Sequence, residues 1–210
     1  MDVLALFIFS FVSLFVVVSP ISGVLTFISL TAQMSFAQKN AMAKRSIALA
    51  CIIALFFAVT GDLLLKIFGI NVDLLRVAGG ILLFTIAFDM MHARISKESV
   101  TTKEIHESQN RDDVWIFPIA MPILTGPGTI TTIIVLIGSN DVLEHKLVVM
   151  LAILLTFAVS LLVFLFSRRI NKWIGYTGML VFTRIMGLFL AALAVDFVTT
   201  GIWNIYQTFL

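Results

Sequence analysis

Cysteine, charge, histidine and proline are all scarce in this sequence, and each shortage excludes something. Cys51 is the only cysteine in 210 residues, so no intrachain disulfide can form and the redox compartment stays open. Charged residues make up 12% of the chain, about half the share usual in soluble domains. With 60% hydrophobic residues and a mean hydropathy of +1.09, too little polar surface remains to cover a water-soluble domain. An ordinary soluble enzyme, a nucleic-acid binder and a disordered chain are thereby excluded. Fourteen basic residues against twelve acidic leave a net charge of +2, with no basic excess for a phosphate backbone, so nucleic acid is not an expected partner. His92, His106 and His145 all lie in polar stretches and assemble no metal-ligand cluster. No nucleophile–base–orienter set or nucleotide loop is present, so neither catalysis nor a cofactor is expected.

What the sequence has in quantity is long apolar runs, read against about 20 residues per spanning helix. Six appear: Val3 to Met34, Ser46 to Leu65, Val72 to Met91, Val114 to Ile137, Leu147 to Ser167, and Leu180 to Trp203. The expected class is all-α, a polytopic membrane protein with six crossings. The first run is not expected to be a cleaved signal, because its start carries Asp2 and no Lys or Arg and the apolar stretch overruns a normal signal core.

Basic residues set the expected orientation. Eleven of fourteen fall on one side: Lys39, Lys44, Arg45, Arg94, Lys97, Lys103, Arg111, Arg168, Arg169, Lys172 and Arg184. Lys66, Arg76 and Lys146 fall on the other. Both termini are therefore expected outside the cell membrane, which in bacteria is the inner membrane. The polar stretch 92–113 is expected to be a cytoplasmic linker between residues 1–91 and 114–210.

Those two halves overlay at an offset of 107 to 108 positions. Ser19-Pro20-Ile21-Ser22 falls on Gly126-Pro127-Gly128-Thr129, and Lys39 on Lys146. Arg76 to Asp89 falls on Arg184 to Asp196. Three crossings per half force opposite orientations, so the expected architecture is an inverted repeat with helices 1 and 4 broken, recurrent in secondary transporters.

The four prolines, Pro20, Pro118, Pro122 and Pro127, all lie in those two helices. Proline removes a donor, clashes with the preceding turn, and suits the first position of a new helical half. Such a start leaves free N–H groups and a partial positive charge. Ser19, Pro20, Ser22, Gly23, Thr125, Gly126, Pro127, Gly128 and Thr129 are the candidate substrate-binding residues, with the Thr131 and Thr132 hydroxyls nearby. A carboxylate would suit the paired helix starts; the other reading is a pair of kinks satisfied by neighbouring hydroxyls, since proline is common in membrane helices. Asp196, deep in the sixth run, is the candidate proton-coupling residue, with a structural hydrogen bond or pairing with Arg76 as the other readings. Asp62 and Lys66 are expected to pair at i, i+4, and Arg76 and Arg184 to snorkel toward headgroups. Gly79, Gly80 and Gly187 are expected to allow close helix packing. Trp115, Trp173, Trp203 and Tyr206 read as interfacial anchors.

The segments FPIAMPILTGPGTI (Phe117 to Ile130), GDLLLKIFGI (Gly61 to Ile70), RVAGGILL (Arg76 to Leu83) and TRIMGLFLAAL (Thr183 to Leu193) resemble conserved blocks of the MarC family of six-helix membrane proteins. One departure stands out. The family's first repeat usually reads Asn-Pro-x-Gly-x-x-Pro, where this chain has Ser19, Ser22 and Leu25 in place of the asparagine, glycine and second proline. Some members are classed as ion-driven transporters of neutral amino acids. The resemblance thus implies a secondary transporter of small neutral amino acids coupled to protons. An exporter of other small or toxic molecules and a non-transporting scaffold or sensor remain the alternatives. The expected partners are a small-molecule solute and the lipid bilayer, with a homo-oligomer left open.

Overall fold

The computed structural model describes residues 2–92, 114–139 and 142–210, and every regular element among them is helical. The expected linker, apart from His92, lies outside the described residues. The elements are α1 (Val3–Val18), α2 (Pro20–Leu30), α3 (Phe36–Phe68), α4 (Val72–Met91), the irregular segment Trp115–Leu124, α5 (Pro127–Gly138), α6 (Leu143–Leu165) and α7 (Ser167–Thr208). Among the described residues five helical stretches are long and apolar enough to cross a membrane, or six when Trp115–Leu124 and α5 form one bent span.

Helix ends correct several sequence boundaries. The second helix begins at Phe36, not Ser46, because Ser35 and Gln38 form a reciprocal capping box. Lys39, Lys44 and Arg45 therefore sit on helix rather than in a connection. Hydropathy reads only the apolar middle, whereas backbone hydrogen bonding continues into the polar turns. At its other end α3 stops at Gly69, whose φ of 66° suits glycine, and the Ile70 N–H reaches back to the Leu65 carbonyl. Asn71 caps α4 by accepting from the Asp73 N–H. Helix α7 starts at Ser167, before the expected Leu180, and kinks at Gly175 (φ 70°, ψ 172°). The kink sets Arg168, Arg169 and Lys172 on a short leading segment.

Without a hydrophobic drive between helices in lipid, small residues must let backbones approach. The α4–α7 pair is the most extensive packing in the bundle. A Cβ on Gly80 would lie 2.8 Å from the Ala194 carbonyl oxygen and 3.0 Å from the Val198 nitrogen. A Cβ on Gly187 would lie 3.0 Å from the Ala87 carbonyl oxygen and 3.0 Å from the Met91 nitrogen. Moving each residue by 107 positions converts one contact set into the other. Leu83 and Leu190, at the middle of this crossing, are fully buried. The exchange extends to other pairs: α1 packs on α6 and Trp115–Leu124 on α3, while α2 packs on α7 and α5 on α4.

Candidate functional site

The first break rests on one residue. Ser19 takes φ 44°, ψ 64°, a left-handed conformation costing about 1 kcal/mol or more for a non-glycine residue. Its N–H closes α1 onto the Phe15 carbonyl, and its own carbonyl accepts from Gly23 N–H in α2. One residue thus ends one helix and starts the next. Pro20 sits buried at the first position of α2, where its missing donor costs nothing. Ser19 Oγ lies 2.7 Å from Ser22 Oγ, which lies 3.1 Å from Thr183 Oγ1 on α7. Thr183 in turn donates to the Met179 carbonyl. This hydroxyl relay ties the break to the other half of the chain. Thr183 was not among the sequence candidates; its one signal is its place beside Arg184 in the repeated block.

The second break spreads over many residues. Phe117 (φ −123°, ψ 125°) and Met121 (φ −134°, ψ 129°) are extended, and each precedes a proline, which disfavours the helical region for its predecessor. Thr125 Oγ1 donates to the Ala120 carbonyl at 3.1 Å and lies 3.4 Å from the Ala50 carbonyl on α3. Thr129 Oγ1 donates to the Leu124 carbonyl at 3.2 Å, and Thr132 Oγ1 to the Gly128 carbonyl. The Thr125 and Thr129 hydroxyls thus bond carbonyls near the end of the irregular segment, and the Thr132 hydroxyl bonds one within α5. A Cβ on Gly126 would press into the Pro122 carbonyl oxygen, so this position needs glycine. Thr131 is used otherwise: its methyl occupies the space that a Cβ on Gly79 would take.

The breaks adjoin. A Cβ on Gly23 would lie 3.6 Å from Ile123, and one on Gly128 would lie 3.8 Å from Val17. Ser19, Pro20, Gly23, Thr125, Gly126, Gly128 and Thr129 are buried, Ser22 is half-buried, and Pro127 is exposed. Neither Ser19 nor Gly126 caps its helix with a side chain, so the Ile21, Ser22, Gly128 and Thr129 amides lack intrahelical partners. Each helix start therefore packs tightly against the end of the other break's leading segment. A cavity of about 460 Å³ lies further along α2, lined by Phe27 and Phe164 rather than by break residues.

Three charged positions differ from their sequence readings. Asp62 pairs with Lys146 at 2.7 Å across α3 and α6, not with Lys66. The tertiary partner wins because α6 brings its lysine against a half-buried carboxylate, whereas Lys66 is exposed. Arg76 does not snorkel: it is buried, bonded to Asp73 at 3.1 Å and to Ser139 Oγ at 2.6 Å. Asn204 donates to the same Asp73 oxygen, completing a cluster that joins α4, α5 and α7. Asp196 is exposed on α7, so Arg76 has Asp73 in the place where Asp196 was the alternative partner. Arg184 is exposed, as are Trp173, Trp203 and Tyr206, while Trp115 is half-buried.

The chain matches the family model described as MarC family integral membrane protein over residues 4–206. It is 38% identical to a UPF0056 membrane protein of Methanocaldococcus jannaschii, covering 99% of this chain and 91% of that protein. The UPF0056 membrane protein YvbG of Bacillus subtilis is 38% identical over 93% of both chains. The UPF0056 membrane protein YhcE of Escherichia coli is 34% identical, covering 93% of this chain and 91% of that protein. No solved structure matches. Paired proline-led breaks in an all-helical, membrane-spanning chain agree with a match that runs nearly end to end: the chain belongs to the MarC family of integral membrane proteins.

Proposed function

We propose that this protein is a secondary transporter of small neutral amino acids, built as two inverted three-helix repeats and driven by a proton gradient. The observation that carries the reading is the adjacency of the two breaks, Gly23 beside Ile123 and Gly128 beside Val17. Two amide-rich, partially positive helix ends in one place suit a carboxylate in a medium where water is scarce. The exchangeable contacts of Gly80 and Gly187 support the inverted repeat. Glycine, alanine or serine fits a site crowded by Gly126 and Gly128, and the Ser19–Ser22–Thr183 relay offers oxygens to an ammonium group. Because the breaks are packed, binding requires the halves to part, which a carrier must do in any case. The membrane is the cell inner membrane, with the Lys39 end cytoplasmic and both termini outside. Asp196, exposed on α7, is the proposed proton carrier.

The test is uptake of labelled alanine or glycine into proteoliposomes under an imposed proton gradient. Gradient-dependent flux that falls about ten-fold or more in Pro127→Ala with Thr129→Val is expected. Flux indifferent to both substitutions sinks the proposed site. Flux that no longer depends on pH in Asp196→Asn is expected for a coupling carboxylate.

A further inference from the structure

The cavity of about 460 Å³ lies where the end of α2 and the start of α3 meet the end of α6 and the start of α7. Its rim carries Lys39 and Arg168, and its polar lining comes from Thr31, Asn40, Ser167 and Asn171. Phe27 and Phe164, with ring centroids 5.0 Å apart, form the apolar side toward Gly23. A Cβ on Gly23 would lie 3.2 Å from the Phe164 ring, so this aromatic pair separates the cavity from the first break. Among the described residues neither Lys39 nor Arg168 meets a carboxylate.

The matching positions of the other half make that state informative. Lys146 stands 107 positions after Lys39, and there the chain supplies an acid of its own, Asp62 at 2.7 Å. Stepping back 107 positions from Arg168 and Arg169 reaches Gly61 and Asp62. Arg169 thus stands where the other end has its acid, and Arg168, one residue earlier, is the arginine that lines the cavity. Membrane topology accounts for basic residues on this side. It does not account for both lining one cavity beside Thr31, Asn40, Ser167 and Asn171, where an anion between them would lower the energy of two like charges.

We propose that this cavity is a binding site for an oxyanion, a carboxylate or a phosphate, held by the Arg168 guanidinium and the Lys39 ammonium with amide and hydroxyl donors from Asn40, Asn171 and Ser167. Arginine offers a planar fork to two oxygens of such a group, and lysine a point charge. The site is an equilibrium binding site and does not depend on the transport reading. Its chemistry fits a free solute or the headgroup of an anionic lipid.

The probes are inorganic phosphate and sodium acetate, titrated calorimetrically at constant ionic strength into the full chain in a neutral maltoside detergent. Saturable binding is expected, weakened at least ten-fold in Lys39→Gln with Arg168→Gln. It should be retained in Lys39→Arg with Arg168→Lys, which keeps both charges, and in Arg169→Gln, whose side chain stacks on Phe166 instead. The same titration in phosphatidylcholine nanodiscs with and without phosphatidylglycerol separates the sources. Phosphate binding indifferent to lipid composition supports a solute site. Phosphate binding abolished by phosphatidylglycerol, with that lipid retained by the wild type and lost from the double Gln variant, supports a headgroup site. If neither anion nor lipid binding distinguishes the double Gln variant from the wild type, or if Arg169→Gln weakens binding equally, the proposal is overturned.

Discussion

The two breaks occupy matching places in the sequence and are built in opposite ways. Val3–Leu30 forms one span of 28 residues that passes through Ser19, whereas Trp115–Leu124 and Pro127–Gly138 are bent by 53°. One left-handed residue and one proline redirect the chain in the first case. In the second, three prolines lack donors over successive turns, two pre-proline residues are extended, and threonine hydroxyls bond the Ala120 and Leu124 carbonyls. The hydroxyls are used differently too. Ser22 reaches across to Thr183 in the other half, while Thr125 and Thr129 bond mostly within their own segment. A repeated sequence position therefore specifies that a helix stops and restarts, and the local count of prolines and glycines decides how sharply it turns.

Gly126→Ala should have the largest effect, because the added methyl meets the Pro122 carbonyl oxygen, backbone that cannot rotate away. A loss of about 2–3 kcal/mol is expected, read as a lowered midpoint in thermal unfolding followed by circular dichroism in detergent. Ser19→Gly at the first break should do little by comparison, since relief of about 1 kcal/mol of left-handed strain opposes a lost hydroxyl bond of about 1 kcal/mol. Equal losses at the two sites would erase the contrast.

Next in size are Gly80→Ala and Gly187→Ala, each forcing α4 and α7 apart at a cost of about 1–3 kcal/mol. Their penalties should agree within about 0.5 kcal/mol, the usual additivity error. A larger difference would show that the two halves of the crossing do not exchange. Asp62→Asn should cost about 1 kcal/mol or less, because the pair with Lys146 is only half-buried, and the loss should shrink at high salt. Smallest is the coupling between Ser22→Ala and Thr183→Val, expected at about 0.5–1 kcal/mol in a double-mutant cycle. No coupling should appear between Thr129→Val and Thr183→Val, because Thr129 bonds within its own segment.

Much of the plan was legible before the structure. Spans are legible because an apolar run of sufficient length has one low-energy fate in lipid, and the breaks because proline cannot donate wherever it lies. Charges were less legible. Asp62 and Lys66 satisfy a helical spacing rule, but that rule contains no information about Lys146 on a distant helix. Arg76 looks like a headgroup-seeking residue until α5 and α7 bring Ser139 and the Asp73–Asn204 pair around it. Thr183 had no signal as a partner of Ser22 because a hydroxyl on an apolar helix reads the same on every face.

The sequence by itself determined that the chain is helical and membrane-spanning, where its first and fourth spans are interrupted, and to which family it belongs. These follow from covalent constraints and from hydropathy, which act residue by residue. Only the tertiary structure decided that the interruptions lie against each other, that Phe27 and Phe164 stand between them and a basic cavity, and that one lysine of a repeated pair meets an acid while Lys39 and Arg168 share open space. Those outcomes depend on which faces of different helices meet, and close packing settles that for the bundle as a whole.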